Sequence, residues 1–182
     1  MVAQVEIGGR EWRIERLMTE DKWWMNLVKR LASFRPVSYV LARILRPIDL
    51  WFYKRSEGRT TLTNRLTGLE TICLDTIGAR TGKIRPVFLA AARTGEKWVI
   101  AASNFGNQNH PGWYYNLIRY PEVELTNKGE IRRYRARLTE GAEREHCWSK
   151  LVGMYRGFAD YRIRAGDRVI PVFMLEPTDS TK

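Results

Sequence analysis

Tight glycine-bearing turns set between short apolar runs are what most constrain this chain. From Glu70 onward, Thr71 to Thr76 is apolar and β-branched, and a turn over Gly78 to Gly82 follows it. Arg85 to Arg93 and Lys97 to Ala102 flank Thr94-Gly95-Glu96, and Val123 to Asn127 and Ile131 to Leu138 flank Lys128-Gly129-Glu130. Connections this short have no room for the crossover that parallel strands need, so the runs read as antiparallel hairpins. Val169 to Glu176 adds a closing apolar strand. Two helices interrupt the series: Gly112 to Ile118, stopped at Tyr120-Pro121, and Glu140 to Tyr155, with Thr139 as its expected cap. No strand feeds a helix through a Gly-x-Gly-x-x-Gly turn, which disfavours a doubly wound nucleotide fold. A small antiparallel barrel with a few helices fits.

Upstream the pattern differs. Val5, Ile7, Trp12 and Ile14 alternate around Gly8-Gly9 as in a short hairpin. From Asp21, Trp23, Trp24, Leu27, Val28 and Leu31 fall on one helical face until Pro36 breaks the chain. A second amphipathic stretch carries Val40, Leu41, Ile44, Leu45 and Ile48, with Pro47 kinking or dividing it. Between Lys22 and Arg55 stand eight Lys or Arg residues, one acidic residue (Asp49) and three tryptophans, Trp23, Trp24 and Trp51. That composition suits an anionic membrane surface, and it equally suits a helical layer packed on the main domain. The expected division is residues 1–57 as hairpin and basic helices, 58–177 as barrel, and 178–182 as a loose tail.

Charge narrows the partner class. Lys and Arg outnumber Asp and Glu by 31 to 20 in 182 residues, a formal net charge of +11. Such an excess attracts polyanions: nucleic acid, anionic lipid, or a phosphorylated or polycarboxylate cofactor. Cys73 and Cys147 sit among apolar neighbours and read as buried, reduced thiols. With only His110 and His146 present, a His/Cys metal site is poorly supplied, and none is expected. No apolar run approaches spanning length and no signal-peptide core is seen, so the cytoplasmic side is expected.

Three segments can carry chemistry. Thr76 to Arg85 combines a glycine turn with Arg80, Lys83, Arg85 and the Thr81 hydroxyl, the donors and cations that phosphate needs. It also reads as an ordinary basic surface turn. Ala101 to Leu117 delivers Ser103 and Asn104 into a polar loop, and Pro111 then starts an aromatic helix; small Ala101 and Ala102 leave room for a flat ring that Trp113 can cover. The same residues suit a packed Trp-Tyr helix. Tyr155, Phe158 and Tyr161 are spaced to share a face, as an apolar pocket wall or as core. No nucleophile elbow and no paired catalytic carboxylates are present, so a hydrolase has little support. A redox enzyme that borrows its chemistry from a cofactor needs none of these groups.

In order, Gly-x-Arg-Thr-Gly-x-x-Arg, Ala-Ala-Ser-Asn-Phe-Gly, His-Pro-x-Trp-Tyr-x-Asn-Leu, Tyr120-Pro-Glu-Val, Met154-Tyr-x-x-Phe-x-Asp-Tyr161 and Arg168-x-Ile-Pro-Val-x-x-x-Glu-Pro177 resemble the deazaflavin-dependent nitroreductase and quinone reductase family. Upstream, Trp51-Phe-Tyr-Lys-Arg-x-Glu-Gly58 is similar to the helix leading into that family's barrel, so the resemblance covers about residues 45 to 177. It implies an α+β, mainly β split barrel of the FMN-binding type, with peripheral helices and an N-terminal helical extension. It implies coenzyme F-420, an anionic 8-hydroxy-5-deazaflavin, as cofactor. By position, Arg80, Thr81, Lys83 and Arg85 look like contacts to its phosphate and glutamate tail. Ala102, Ser103, Asn104, Pro111, Gly112, Trp113 and Asn116 look like the bed for its ring and linker.

Tyr155, Phe158 and Tyr161 correspond to the acceptor pocket, with Tyr155, Tyr161 and Ser103 as hydrogen-bonding or proton-donating groups. Phe158 and Ala90 stand where the nitroimidazole-reducing member carries tyrosines. The implied activity is hydride transfer to a quinone, enone or nitroaromatic, in a monomer or homodimer, with a membrane quinone giving the basic helices a purpose. An FMN- or haem-binding barrel, or a non-catalytic binder of anionic lipid or nucleic acid, are the alternatives; nucleic-acid motifs are absent.

Overall fold

In the computed structural model, residues 68–178 are described continuously, together with Val5–Ile7, Arg10–Trp12, Trp51, Tyr53, Arg55 and Ser56. Strands β1 (Val5–Ile7) and β2 (Arg10–Trp12) form the antiparallel hairpin expected around Gly8-Gly9. The expected helices over residues 21–50 lie outside the described residues. Seven strands make the main sheet: β3 (Thr71–Ile77), β4 (Ile84–Ala90), β5 (Ala92–Thr94), β6 (Lys97–Ala101), β7 (Glu122–Asn127), β8 (Glu130–Leu138) and β9 (Val172–Pro177). Their order is β4-β3-β7-β8-β9-β6-β5, with every neighbouring pair antiparallel.

That order contains the closure device. β4 and β5 are the two opposite edges of the sheet, yet only Ala91 separates them in sequence. A sheet whose edges are joined by one residue must curl until they converge at that link, which makes the half-barrel. The run Arg85 to Arg93, expected as one strand of a hairpin with Lys97 to Ala102, is therefore bent at Ala91. Its first part pairs with β3 and its second with β6. Ala91 is fully buried and its N–H donates to the Glu70 carbonyl at 3.0 Å. A larger side chain at this convergence would have to displace core.

Alternation along each strand then sorts side chains into two cores. Ile72, Leu74, Ile100, Leu125, Phe173 and Leu175 point inside the curl, and helix α1 (Gly112–Arg119) closes that interior through Leu117. Ala92, Val99, Val172 and Met174 point outward, and α2 (Gly141–Met154) and α3 (Gly157–Ala165) cover them with Cys147, Trp148, Leu151 and Phe158. Near the other edge, Tyr53 lies edge-on to Phe88 at 5.1 Å. Burial raises the Tyr53 phenol to about 12 and the Cys73 thiol to about 11. Both cysteines are free and buried.

Three local expectations change. Thr139 does not cap α2: its buried hydroxyl donates to the Val172 carbonyl at 3.0 Å, and Glu140 stands at the cap position without a side-chain bond. The last strand starts at Val172 rather than Val169, because Pro171 has no N–H to give to the ladder. Glu130 belongs to β8, so the β7–β8 turn is only Lys128-Gly129, both left-handed (φ 50° and 87°), as a two-residue hairpin turn requires.

Candidate functional site

The turn after β3 is held by its own backbone. Gly78 N–H donates to the Lys83 carbonyl and Gly82 N–H to the Gly78 carbonyl, each at 2.8 Å. Gly78 is required here: a Cβ would lie 2.7 Å from Thr81 Oγ1 and 3.2 Å from the Lys83 carbonyl oxygen. The turn presents Arg80, Thr81, Lys83 and Arg85 to solvent, and among the described residues no carboxylate pairs with the three cations. The arginines of β8 differ. Arg133 lies 3.6 Å from Glu124, Arg135 3.8 Å from Glu122, and Arg137 2.8 Å from Glu143. The basic excess is thus neutralised along β8 and left available at the turn.

Asn116 ties this turn to the aromatic helix. Its Nδ2 donates to Thr76 Oγ1 and its Oδ1 accepts from Ala79 N–H, both at 2.9 Å. Thr76, fully buried, passes its own hydroxyl proton to the Arg85 carbonyl at 2.9 Å. One amide therefore fixes α1 against β3, the turn and β4, with every member satisfied. Asn116 is expected in the bed for the ring and its linker, and in the structure both ends of its amide join the two segments.

The loop after β6 is strained. Asn104, Phe105 and Gly106 are all left-handed (φ 46°, 56° and 79°), an arrangement that costs about 1–3 kcal/mol per non-glycine residue. Several contacts hold it. Asn104 Nδ2 donates to the Asn109 carbonyl at 2.9 Å, and Gly106 N–H donates to the Ser103 carbonyl at 2.9 Å. Gly106 presses on α3, where a Cβ would come within 2.8 Å of the Tyr161 carbonyl oxygen. Arg168 reaches beneath, donating from Nη2 to the Ser103 carbonyl (2.7 Å) and from Nη1 to the Ala102 carbonyl (3.3 Å), with His110 Nδ1 at 3.2 Å. Arg168 entered the sequence reading only as one letter of the closing motif, and His110 only as one letter of the His-Pro-x-Trp-Tyr motif and one of the two histidines. Nothing in their spacing marks a pair fifty-eight positions apart.

The far end of the bed is open. Pro111 is extended and caps α1, and a Cβ on Gly112 would meet nothing within 4 Å. Half-buried Trp113 leans on Phe173 with ring centres 6.0 Å apart. Ala101 and Ala102 are buried at the strand end, and the half-buried Ser103 has no protein partner for its hydroxyl among the described residues.

The third segment closes on the same loop. Tyr155, Phe158 and Tyr161 meet edge to face, with centroids 5.8 to 6.1 Å apart. Phe105 meets Tyr161 at 5.8 Å, and Arg164 donates to the Phe105 carbonyl at 3.3 Å. Phe158 and Tyr161 are each only 5% exposed, whereas Tyr155 is half-buried. Burial first, then the neighbouring Tyr155, pushes the Tyr161 phenol far above its ordinary range. All three segments are thus brought together, but two of the three aromatic residues are core.

A groove of about 320 Å³ lies elsewhere, lined by Asp75, Ile77, Ile84, Glu124 and Arg133 among others. Register sets Asp75, Glu124 and Arg133 side by side, on the face opposite Thr76. Its carboxylates would repel an anion, so the Asn116 side is the candidate.

Residues 45–177 match the F420H(2)-dependent quinone reductase family. The chain belongs to that family. An F420H(2)-dependent quinone reductase of Mycobacterium tuberculosis is 36% identical over 88 residues, which are 48% of this chain. The match spans 57% of that relative's length. A solved F420-H2 dependent reductase, FDR-A, is 36% identical, with a TM-score of 0.55 over 59% of this chain and 94% of its own. A second solved structure, described as a domain-swapped dimer, is 31% identical, with a TM-score of 0.58 over 78% of this chain and 100% of its own. The split-barrel fold expected from the motifs is borne out. Among the described residues, no helix is long and apolar enough to cross a membrane, and no cluster of His, Cys, Asp and Glu can hold a metal.

Proposed function

We propose that this protein transfers hydride from reduced coenzyme F-420 to an electrophilic acceptor, with a quinone as the acceptor class. The observation that carries this reading is the Asn116 bridge, which sets three cations without carboxylate partners beside an open aromatic bed. An anionic ligand with a flat ring matches both halves, and no single polyanion without a ring does. Arg80, Thr81, Lys83 and Arg85 hold phosphate and carboxylate. Ala102, Ser103, Asn104, Pro111, Gly112 and Trp113 seat the ring and its linker, and Asn116 keeps the two ends in register.

The coenzyme supplies a two-electron hydride when bound; the protein's task is placement and exclusion of water. Phe158 and Tyr161 form a dry wall, and Tyr155, nearest the surface of the three, orients the acceptor through its phenol. The Ser103 hydroxyl is a second donor to an acceptor oxygen. Tyr161 acts through Tyr155, because its own hydroxyl is buried. We further propose that residues 22–55 form a basic element that holds the enzyme at an anionic membrane surface. The enzyme would then work on the inner face of that membrane as a monomer or homodimer.

The test is direct. The protein is mixed with reduced coenzyme F-420 and a panel of quinones, enones and nitroaromatics, and the return of the deazaflavin absorbance is followed. Turnover fastest with quinones is expected; absence of both binding and turnover would overturn the reading. For the membrane element, a variant lacking residues 1–50 should lose co-sedimentation with anionic vesicles, and equal pelleting of both forms would refute it.

A further inference from the structure

The reading above uses neither the guanidinium of Arg168 nor the imidazole of His110. Arg168 is a partly buried cation, and no carboxylate pairs with it among the described residues. A cation taken out of water without a counter-charge is costly, so stability alone is a poor account of it. Its fork instead reaches both ends of one loop, the Ala102 and Ser103 carbonyls at the start and His110 at the finish.

The contact with His110 fixes a proton. A guanidinium has only donors, so a ring nitrogen 3.2 Å from Nη1 must be offering its lone pair. His110 Nδ1 is then the acceptor, and the proton of the neutral ring resides on Nε2. The ring is also held in orientation, stacked on Tyr114 (4.4 Å, 30° between planes) and edge-on to Tyr115 at 6.3 Å. Burial and the adjacent Arg168 charge both lower the His110 pKa, which is consistent with a neutral ring. Nε2–H has no acceptor among the described residues, and His110 immediately precedes Pro111 and Gly112, where the bed is open.

We propose that Arg168 positions His110 as a neutral Nε2–H donor to an oxygen of the ligand seated on Ala102 and Ser103. This rests on the ring-bed reading. Arg168 is the positioning residue and His110 the binding residue, and together they let the site engage a carbonyl or phosphate oxygen without adding a titrating charge.

The experiment uses the full chain labelled with nitrogen-15, read by long-range proton–nitrogen spectra of its two histidines. Without ligand, His110 should show the Nε2–H tautomer at neutral pH, with His146 as internal reference. Addition of oxidised coenzyme F-420 should shift the His110 Nε2 signal and leave His146 in place. His110→Phe keeps a ring on Tyr114 and removes the donor; its dissociation constant for the coenzyme should rise about tenfold, as expected for one lost hydrogen bond to a charged or strongly polar oxygen, at unchanged melting temperature. Arg168→Gln should lose the tautomer bias and a similar affinity, with Arg168→Lys recovering only part because one ammonium cannot span three acceptors. If Arg168→Gln fails to fold, His110→Phe decides. An imidazolium or Nδ1–H ring in the free protein, an unmoved Nε2 signal on binding, or wild-type affinity in His110→Phe would each overturn the proposal. Failure of the wild-type chain to bind coenzyme F-420 would instead sink the ring-bed reading, and the spectrum of the free protein would still judge the Arg168–His110 pair.

Discussion

The turn at Gly78 to Arg85, tied to α1 through Asn116, and the aromatic corner at Tyr155 to Tyr161, tied to the loop after β6 through Phe105, are built on opposite principles. The turn is all backbone and solvent: its side chains touch little, and its cations have no carboxylates to satisfy them among the described residues. The corner is all packing, with Phe158 and Tyr161 buried against Trp148 and Phe105. Changes in the turn should therefore be felt by a ligand and hardly by the fold. Changes in the corner should be felt by the fold first.

The largest effect tests that division at its packed end. Phe158→Ala removes a buried ring from the second core and should cost about 3–5 kcal/mol in urea unfolding. A loss under about 1 kcal/mol would mean the corner is pocket rather than core. Asn116→Leu belongs to both regions. It leaves Ala79 N–H without its acceptor and Thr76 Oγ1 without its donor, so stability should fall by about 1–3 kcal/mol and coenzyme affinity should fall with it. Loss of stability alone would uncouple turn from helix. Replacing Arg80, Lys83 and Arg85 singly by Ala should weaken coenzyme binding by about 1 kcal/mol each and flatten its salt dependence, while unfolding shifts by less than about 0.5 kcal/mol.

The smallest effect concerns neither region and calibrates both. Burial, then the charge of Glu124, raises the Asp75 pKa in the folded chain. The folded state thus holds this proton more tightly than the unfolded state. Ionisation of Asp75 costs stability above its folded pKa, and that penalty fades as pH falls toward the unfolded value. Asp75→Asn should raise stability at neutral pH by a few tenths of a kcal/mol after allowance for solvent screening, and the gain should vanish in acid. A gain that persists in acid would assign it to something other than charge.

The hairpins and helices α1 and α2 were legible because their signals are local: glycine turns, alternation, and proline stops; α3 was not read as a helix. Gly129 marks its turn in the sequence, whereas the left-handed backbone at both Lys128 and Gly129, and hence the two-residue length, is seen only in the structure. The bend at Ala91 was not legible, since the run Arg85 to Arg93 keeps one β-rich composition while its partners change from β3 to β6. Thr139 misled for a related reason. A threonine before a helix suits a cap, and only the tertiary position of Val172 diverts its hydroxyl. The site segments were named by motif order, but what joins them was not visible. Asn116 meets Thr76 and Ala79 across forty and thirty-seven positions, and Arg168 meets Ser103 across sixty-five.

The single-residue passage through Ala91 also bears on how this protein avoids its own kind. An open seven-stranded sheet would offer two rows of unpaired amides to any other chain, the usual route to strand-on-strand aggregation. Here the two edges follow one another along the backbone and converge at Ala91, but no ladder joins them. What protects them is the curl that the one-residue link enforces and not pairing with each other. Cleavage between Ala90 and Ala92 would leave every pairing within the sheet intact and yet release that curl. A nicked chain should keep its strand content while becoming prone to assemble, with growth starting at β4 and β5.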